Sequence, residues 1–162
     1  MVSVNQATMP QQITAVQELM REYLTWVSEQ FPNTLPTFDE WEAELKNLPG
    51  IYAPPQGGLF LATVDDQPAG CVALKPKDES TGELKRMYVR PSFRGQRVGW
   101  HLGQKVLEEA REIGYKKVYL DSDQAMKPAH KVYEKLGFKY IPAPVDFPKE
   151  LVSVSVFMEC EL

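Results

Sequence analysis

The fold is decided by the stretch Glu83-Leu84-Lys85-Arg86-Met87-Tyr88-Val89-Arg90-Pro91-Ser92-Phe93-Arg94-Gly95-Gln96-Arg97-Val98-Gly99. Residues 83–89 are typical of a strand, and the segment that follows them is a basic, glycine-containing loop. From Val98 to Ile113 apolar residues recur at helical spacing, and Gly114 stands where a glycine commonly ends a helix. The stretch therefore predicts a strand, a loop and a long helix in that order.

This order of elements predicts an anion-binding site at residues 94–99. The first turn of a helix has backbone N–H groups without intrahelical partners and carries the positive end of the helix dipole. Small residues let a phosphate reach those donors, and arginines add charge-assisted hydrogen bonds. Within the stretch, residues 85–97 contain no acid and supply the cations Lys85, Arg86, Arg90, Arg94 and Arg97. Neither the P-loop pattern nor the Gly-x-Gly-x-x-Gly dinucleotide pattern is present, so the site is predicted to bind a phosphate or pyrophosphate by another arrangement.

On both sides of this stretch, the sequence alternates between strand and helix patterns. Strands are predicted at residues 2–5, 59–64, 69–74, 83–89, 117–120, 138–141 and 152–160. Helices are predicted at residues 11–30, 98–113 and 127–136, with a short one through Trp41, Leu45 and Leu48. The pattern gives an α/β (α+β) fold class with a mixed sheet.

Length and composition narrow the class of protein. The chain has 162 residues, which is the size of a single domain, 1–162, and neither a secretory signal nor a membrane span is apparent. We therefore expect a cytoplasmic protein without a membrane partner, and the net charge of −4 argues against nucleic acid. Cys71 and Cys160 are read as buried thiols, and because His101 and His130 stand alone, no metal site is predicted.

Two motifs in this sequence resemble those of the GNAT superfamily of N-acetyltransferases. The family's phosphate loop, Gln/Arg-x-x-Gly-x-Gly/Ala, aligns with Arg94-Gly95-Gln96-Arg97-Val98-Gly99, with Arg97 where glycine is usual. The downstream element Ala-x-x-x-Tyr-Glu/Lys-x-x-Gly-Phe aligns with Ala129-His130-Lys131-Val132-Tyr133-Glu134-Lys135-Leu136-Gly137-Phe138. Met126 also departs from the family, because many members carry asparagine there. The resemblance covers most of the chain and is strongest from Ala69 to Phe138.

The resemblance implies a GNAT-like, mostly antiparallel central sheet with helices on both faces and a splayed strand pair. The strand ahead of the loop is expected to carry a bulge and to separate from the next parallel strand. Acetyl-CoA is the implied co-substrate, with no metal. The implied cofactor-binding residues are Met87, Tyr88, Val89, Arg94, Gly95, Gln96, Arg97, Val98, Gly99, Trp100, Met126 and Ala129.

The resemblance also implies direct acetyl transfer to a primary amine, most simply that of a small molecule. Tyr133 matches the family's acid for the leaving thiolate, and Glu83 matches a base that acts directly or through water. A backbone N–H near Tyr88 is the expected oxyanion donor. The alternative interpretations are a core tyrosine at 133, a solvated glutamate at 83, and surface charges at Arg86 and Arg90.

Other functions remain open at the level of sequence. A protein acetyltransferase acting on a lysine or an α-amine has the same motifs, and so does a non-catalytic module that senses acyl-CoA. The aromatic residues Trp26, Phe31, Tyr52 and Phe60 are candidates either for an acceptor pocket or for the core. The proline-rich residues 142–148 are a candidate border of that pocket, and the final strands are a candidate homodimer surface.

Overall fold

The computed structural model describes residues 1–30 and 38–162 of the chain. Within them, seven strands form one sheet in the order β1-β2-β3-β4-β5-β7-β6, and only the neighbours β4 and β5 are parallel. The strands are β1 Val2–Gln6, β2 Gly58–Val64, β3 Gln67–Pro76, β4 Thr81–Val89, β5 Lys117–Asp123, β6 Lys139–Tyr140 and β7 Ser155–Glu161. The helices are α1 Pro10–Gln30, α2 Phe38–Lys46, α3 Val98–Ile113 and α4 Lys127–Leu136. The predicted fold class is confirmed.

Helices cover both faces of the sheet, and each face has its own apolar core. On one side α3 and α4 bury residues such as Leu102 and Val106 against the strands; this is the α3/α4 face. On the other side α1 and α2 bury Leu19 and Trp41; this is the α1/α2 face. Cys71 and Cys160 are free, buried thiols, as predicted from the sequence.

A bulge in β4 opens the sheet at its centre. Cys71 pairs with Tyr88 and Ala73 pairs with Lys85, so Arg86 and Met87 together oppose Val72. Arg86 adopts a left-handed backbone conformation with φ of +60°. The bulge and the splayed strand pair implied by the family resemblance are therefore present.

The separation of β4 from β5 follows directly from their pairing. The two strands pair only where residues Thr81–Glu83 lie beside Lys117–Tyr119. Beyond those residues β4 remains paired with β3 and β5 with β7, so the two facing edges diverge. We call the resulting gap between β4 and β5 the splay; its closed end is at Glu83.

Two predicted strand boundaries differ from the structure by three residues, each for a local reason. Residues 152–154 were expected to begin the last strand, but Lys149–Val154 forms 3-10 turns after Pro148 and β7 begins at Ser155. Conversely, β5 continues to Asp123 although its last residues are polar, because β7 pairs with it as far as Asp123. Among the described residues, no helix is long and apolar enough to cross a membrane.

Candidate active site

The loop before α3 presents a run of unused backbone donors. Gly95 and Arg97 both have left-handed backbone conformations, with φ of +83° and +63°, and residues 94–97 are exposed. In the described part of the chain, the amide N–H groups of residues 95–100 have no hydrogen-bond acceptor. These donors stand at the N-terminus of a 16-residue helix, whose dipole favours an anion there.

Arg97 occupies a backbone conformation that suits glycine, so the loop keeps its shape despite the departure from the family pattern. Its guanidinium lies over the indole of Trp100, 4.6 Å from the ring centroid. A non-glycine residue in this region costs about 1 kcal/mol, and an exposed cation–π contact returns about half of that or more. Arg97 thus adds a cation beside the N–H groups at little net cost in stability.

Replacing Arg97 by glycine is expected to change the free energy of unfolding by less than about 1 kcal/mol, because relieved backbone strain offsets the lost stacking. The dissociation constant of coenzyme A should rise several-fold at low salt, and the difference should shrink at high salt as screening increases. Isothermal titration calorimetry at two salt concentrations measures this. An affinity loss that does not depend on salt would show that Arg97 acts by shaping the loop.

The α3/α4 side of the splay combines apolar surface with these donors. Met87 and Val89 of β4 and Ala129 of α4 are partly buried and pack against the core of that face. Met126 is the N-cap residue of α4, and its own N–H is bonded to the Asp123 carbonyl. Because a thioether does not donate hydrogen bonds, Met126 offers apolar contact where many family members offer an amide.

Tyr133 is a buried residue of α4 in the core of the α3/α4 face. The residue is 6% exposed, and its ring packs against Phe138. Burial, together with the neighbouring Tyr23, raises the pKa of Tyr133 well above its usual value. Among the described residues, none forms a hydrogen bond with the Tyr133 hydroxyl. The alternative interpretation, a core tyrosine whose hydroxyl is hydrogen-bonded, therefore does not describe this residue. The group is a protonated, unengaged donor.

Glu83 lies at the closed end of the splay, on the α1/α2 face. It is the last β4 residue to pair with β5, opposite Tyr119, and it is buried. Its carboxylate oxygens are 4.0 Å from the Lys75 ammonium and 3.8 Å from that of Lys85. The alternative of a solvated strand-end glutamate does not describe this environment.

Arg86 and Arg90 are not free surface charges, because each forms an ion pair with a helix glutamate. Arg86 donates from Nε and Nη2 to the two carboxylate oxygens of Glu44 on α2, at 2.8 and 2.9 Å. Arg90 donates from Nε and Nη2 to Glu22 on α1. Burial opposes the charge of Arg86, but the hydrogen bonds and charge of Glu44 outweigh it and raise its pKa.

The candidate pocket aromatics separate into different places. Phe60 is fully buried in the core of the α3/α4 face, so of its two alternatives the core interpretation is the correct one. Tyr52 is fully buried on the α1/α2 face, where Glu44 and Arg86 influence its pKa, and Trp26 lies on α1 with the Arg94 guanidinium 5.8 Å from its ring. Phe31 lies outside the described residues.

Sequence reasoning missed two groups on the α1/α2 side of the splay. Tyr23 of α1 packs on the α1/α2 face, with its ring 5.7 Å from that of Tyr88, and burial raises its pKa. Asp121 of β5 accepts a hydrogen bond of 3.1 Å from the Tyr119 hydroxyl. The predicted loop 142–148 reaches the same region, because the Phe147 ring lies 4.7 Å from that of Phe157, and Phe157 of β7 pairs with Asp121. The sequence offered one signal for Asp121: it lies two residues after Tyr119 in a strand, and such residues point to the same face of a sheet.

The predicted site residues fall on two sides of one opening. The phosphate loop, Trp100, Met87, Val89, Met126, Ala129 and Tyr133 lie on or beside the α3/α4 face. Tyr88 and Glu83 lie on the α1/α2 face, and the Tyr88 hydroxyl is 3.5 Å from a Glu22 oxygen. The structure thus brings the anion-binding and apolar groups together and separates Tyr133 and Glu83 across the sheet. No cluster of metal-ligating side chains is found in residues 1–30 and 38–162.

Two protein relatives share substantial sequence with this chain. An uncharacterized N-acetyltransferase of Schizosaccharomyces pombe is 33% identical over 140 residues, covering 85% of this chain and 83% of that protein. The N-acetylaspartate synthetase of Homo sapiens is 37% identical over 102 residues, which are 62% of this chain but 34% of that longer protein.

Solved structures share the fold over the whole chain. A GNAT-family acetyltransferase of Staphylococcus aureus superposes with a TM-score of 0.78 at 22% identity, covering 100% of this chain and 99% of that one. The PaiA N-acetyltransferase of Thermoplasma acidophilum, solved with coenzyme A, gives 0.73 at 15% identity, covering 100% and 99%. The family model of the acetyltransferase (GNAT) family matches residues 15–138. With the splay, the loop and these matches together, the chain belongs to the GNAT family of acetyltransferases.

Proposed function

We propose that this protein transfers the acetyl group of acetyl-CoA directly to a primary amine of a small molecule. The proposal rests on the backbone N–H groups of residues 95–100, which have no hydrogen-bond acceptor among the described residues and follow β4, one of the two strands that form the splay. A diphosphate is the ligand that such a run, at a helix N-terminus with two left-handed residues, suits best.

Residues on both sides of the splay have distinct parts in holding the co-substrate. Acetyl-CoA supplies an acetyl group activated as a thioester. The N–H groups of residues 95–100 bind the diphosphate, and Arg94 and Arg97 add positive charge. Backbone groups of Met87 and Val89 bind the pantetheine amides, and Trp100, Met126 and Ala129 give apolar contact. A backbone N–H near Tyr88 polarises the thioester carbonyl.

Proton transfer is divided between the two faces of the sheet. Glu83, at the closed end of the splay, takes a proton from the acceptor amine directly or through a water molecule. Because burial raises the pKa of Tyr133, its hydroxyl is protonated at neutral pH, and it donates this proton to the departing sulfur. A small-molecule acceptor is favoured by the similarity to N-acetylaspartate synthetase, whose name identifies aspartate as that enzyme's acceptor.

Binding and turnover test the proposal separately. Coenzyme A and pantetheine are compared by calorimetry, because pantetheine lacks the nucleotide diphosphate. Coenzyme A should bind at least tenfold more tightly, and equal affinities would refute the phosphate-binding role of residues 95–100. Thiol release from acetyl-CoA is then followed with polyamines, amino acids, aminoglycosides and short peptides. Turnover confined to peptides would favour a protein acetyltransferase, and coenzyme A that fails to bind would overturn the function itself.

A further inference from the structure

The two arginines of β4 differ in how completely their donors are used. Arg90 donates hydrogen bonds from Nε and Nη2 to Glu22, and its Nη1 donates to the Pro68 carbonyl at 2.9 Å. Arg86 donates hydrogen bonds from Nε and Nη2 to Glu44, and its Nη1 has no hydrogen-bond partner among the described residues. Since a guanidinium has donors along two usable edges, Arg86 keeps one edge free while Arg90 does not.

The free edge of Arg86 belongs to a side chain that is already held in place. Glu44 fixes one edge of the guanidinium in bidentate geometry, and the ring of Trp41 lies 4.4 Å from the guanidinium carbon. Only 17% of the side chain is exposed. A planar cation fixed in this way loses little conformational entropy when it binds a second bidentate partner.

Buried polar groups lie beside the same ion pair. The Trp41 indole N–H is buried and has no hydrogen-bond partner among the described residues, and Tyr52 is fully buried. Burial raises the pKa of Tyr52, and the adjacent Arg86 and Glu44 also act on it. Because such a buried environment has a low dielectric constant, a charge-assisted hydrogen bond made by Arg86 is stronger there than in water.

The backbone conformation of Arg86 orients its side chain toward the α1/α2 face. Arg86 has φ of +60°, a backbone conformation that costs free energy for any residue other than glycine. It adopts this conformation at the bulge where the splay opens. The bulge directs Arg86 to Glu44 and Trp41 on the α1/α2 face. This is the face that carries Glu83, which is the proposed base, and Asp121.

We propose that the acceptor amine also carries a carboxylate, as a free amino acid does, and that the Nη1 edge of Arg86 binds this carboxylate. The inference rests on the proposed acetyltransferase function and names the acceptor class of the same site. A carboxylate is the group whose two oxygens match a guanidinium edge, and Glu44 prevents the cation from swinging out to solvent. The acceptor is then held by its acid at Arg86 and presents its amine toward Glu83.

The test compares each acid with the amide that removes one carboxylate. Purified protein and acetyl-CoA are mixed with the standard amino acids, with their α-amides, and with 4-aminobutyrate and its carboxamide. Asparagine and glutamine are compared with aspartate and glutamate, and polyamines are included as acceptors without a carboxylate. Thiol release gives kcat/KM for each acceptor. At least one acid should exceed its matched amide tenfold or more, as expected for a lost charge-assisted hydrogen bond.

Variants then assign that preference to Arg86. Arg86→Met, made alone and with Glu44→Leu so that no buried carboxylate is left unpaired, should reduce the acid-to-amide ratio to near one. Arg90→Met removes an arginine with the same kind of glutamate partner and should leave the ratio unchanged. Thermal denaturation verifies that each variant is folded.

The outcomes separate the acceptor class from the enzyme function. Acetylation of polyamines or amides as fast as of acids, or an acid preference that survives in Arg86→Met/Glu44→Leu, overturns the inference but leaves the acetyltransferase function intact. Failure to acetylate any acid in the panel also overturns it. Loss of coenzyme A binding in the wild-type protein would instead refute the proposed function.

Discussion

Tyr133→Phe is expected to lower kcat about 100-fold, with KM for acetyl-CoA within about twofold of the wild type. General acid catalysis contributes roughly this much, and the substitution removes one hydroxyl without changing the ring. Because that hydroxyl has no partner among the described residues, its loss should change the free energy of unfolding by less than about 1 kcal/mol. Steady-state thiol release and chemical denaturation measure the two quantities.

The raised pKa of Tyr133 also determines the expected pH dependence. Burial raises the pKa of Tyr133, so the hydroxyl stays protonated between about pH 6 and pH 9. The ratio of wild-type to variant kcat should therefore be constant between about pH 6 and pH 9. Tyr140→Phe is the matched control, since Tyr140 is 53% exposed and should leave kcat unchanged. Full activity in Tyr133→Phe would require a different proton donor.

The elements with clear local signals could be predicted closely from the sequence. The bounds of α3 and α4 are those expected, because each helix ends before a glycine, Gly114 or Gly137, with φ near +104° or +103°. The phosphate loop could be predicted for a similar reason, since unpaired N–H groups are a property of every helix start. Local chemistry is sufficient for such features.

The acceptor side depends on contacts between distant parts of the chain. The sequence shows that Arg86 is a cation, but not that a bulge turns it toward a carboxylate 42 residues away. Glu44 looks like an ordinary helix-surface glutamate, and Asp121 resembles the polar end of a strand. Tyr23 belongs to the apolar stripe of α1 in the sequence, and only the fold places it near both Arg86 and Asp121. Pairing over long sequence separation therefore decides the part of the site that selects the acceptor.

Gly70→Ala is expected to lower the free energy of unfolding by about 3 kcal/mol and to weaken coenzyme A binding. A Cβ at this position would lie 2.6 Å from the Tyr88 carbonyl oxygen, which is backbone, and 3.3 Å from Cγ1 of Val98. Tyr88 follows the bulge, and Val98 is the first residue of α3, so relief of the clash must move β4 or the start of α3. Both movements disturb the splay and the loop of N–H donors.

Urea denaturation and calorimetry with coenzyme A measure these two effects, and Gly99→Ala is the matched control for stability. A Cβ at Gly99 would meet only Cγ2 of Val89, at 3.8 Å, which is ordinary contact. That variant should be as stable as the wild type, or more stable by up to about 1 kcal/mol from helix propensity. If Gly70→Ala were equally stable, β3 and β4 would be able to separate there at no cost. The backbone at the bulge would then be able to change its conformation at little cost in free energy. In that case α2, and not the sheet, would have to hold Arg86 beside Glu44.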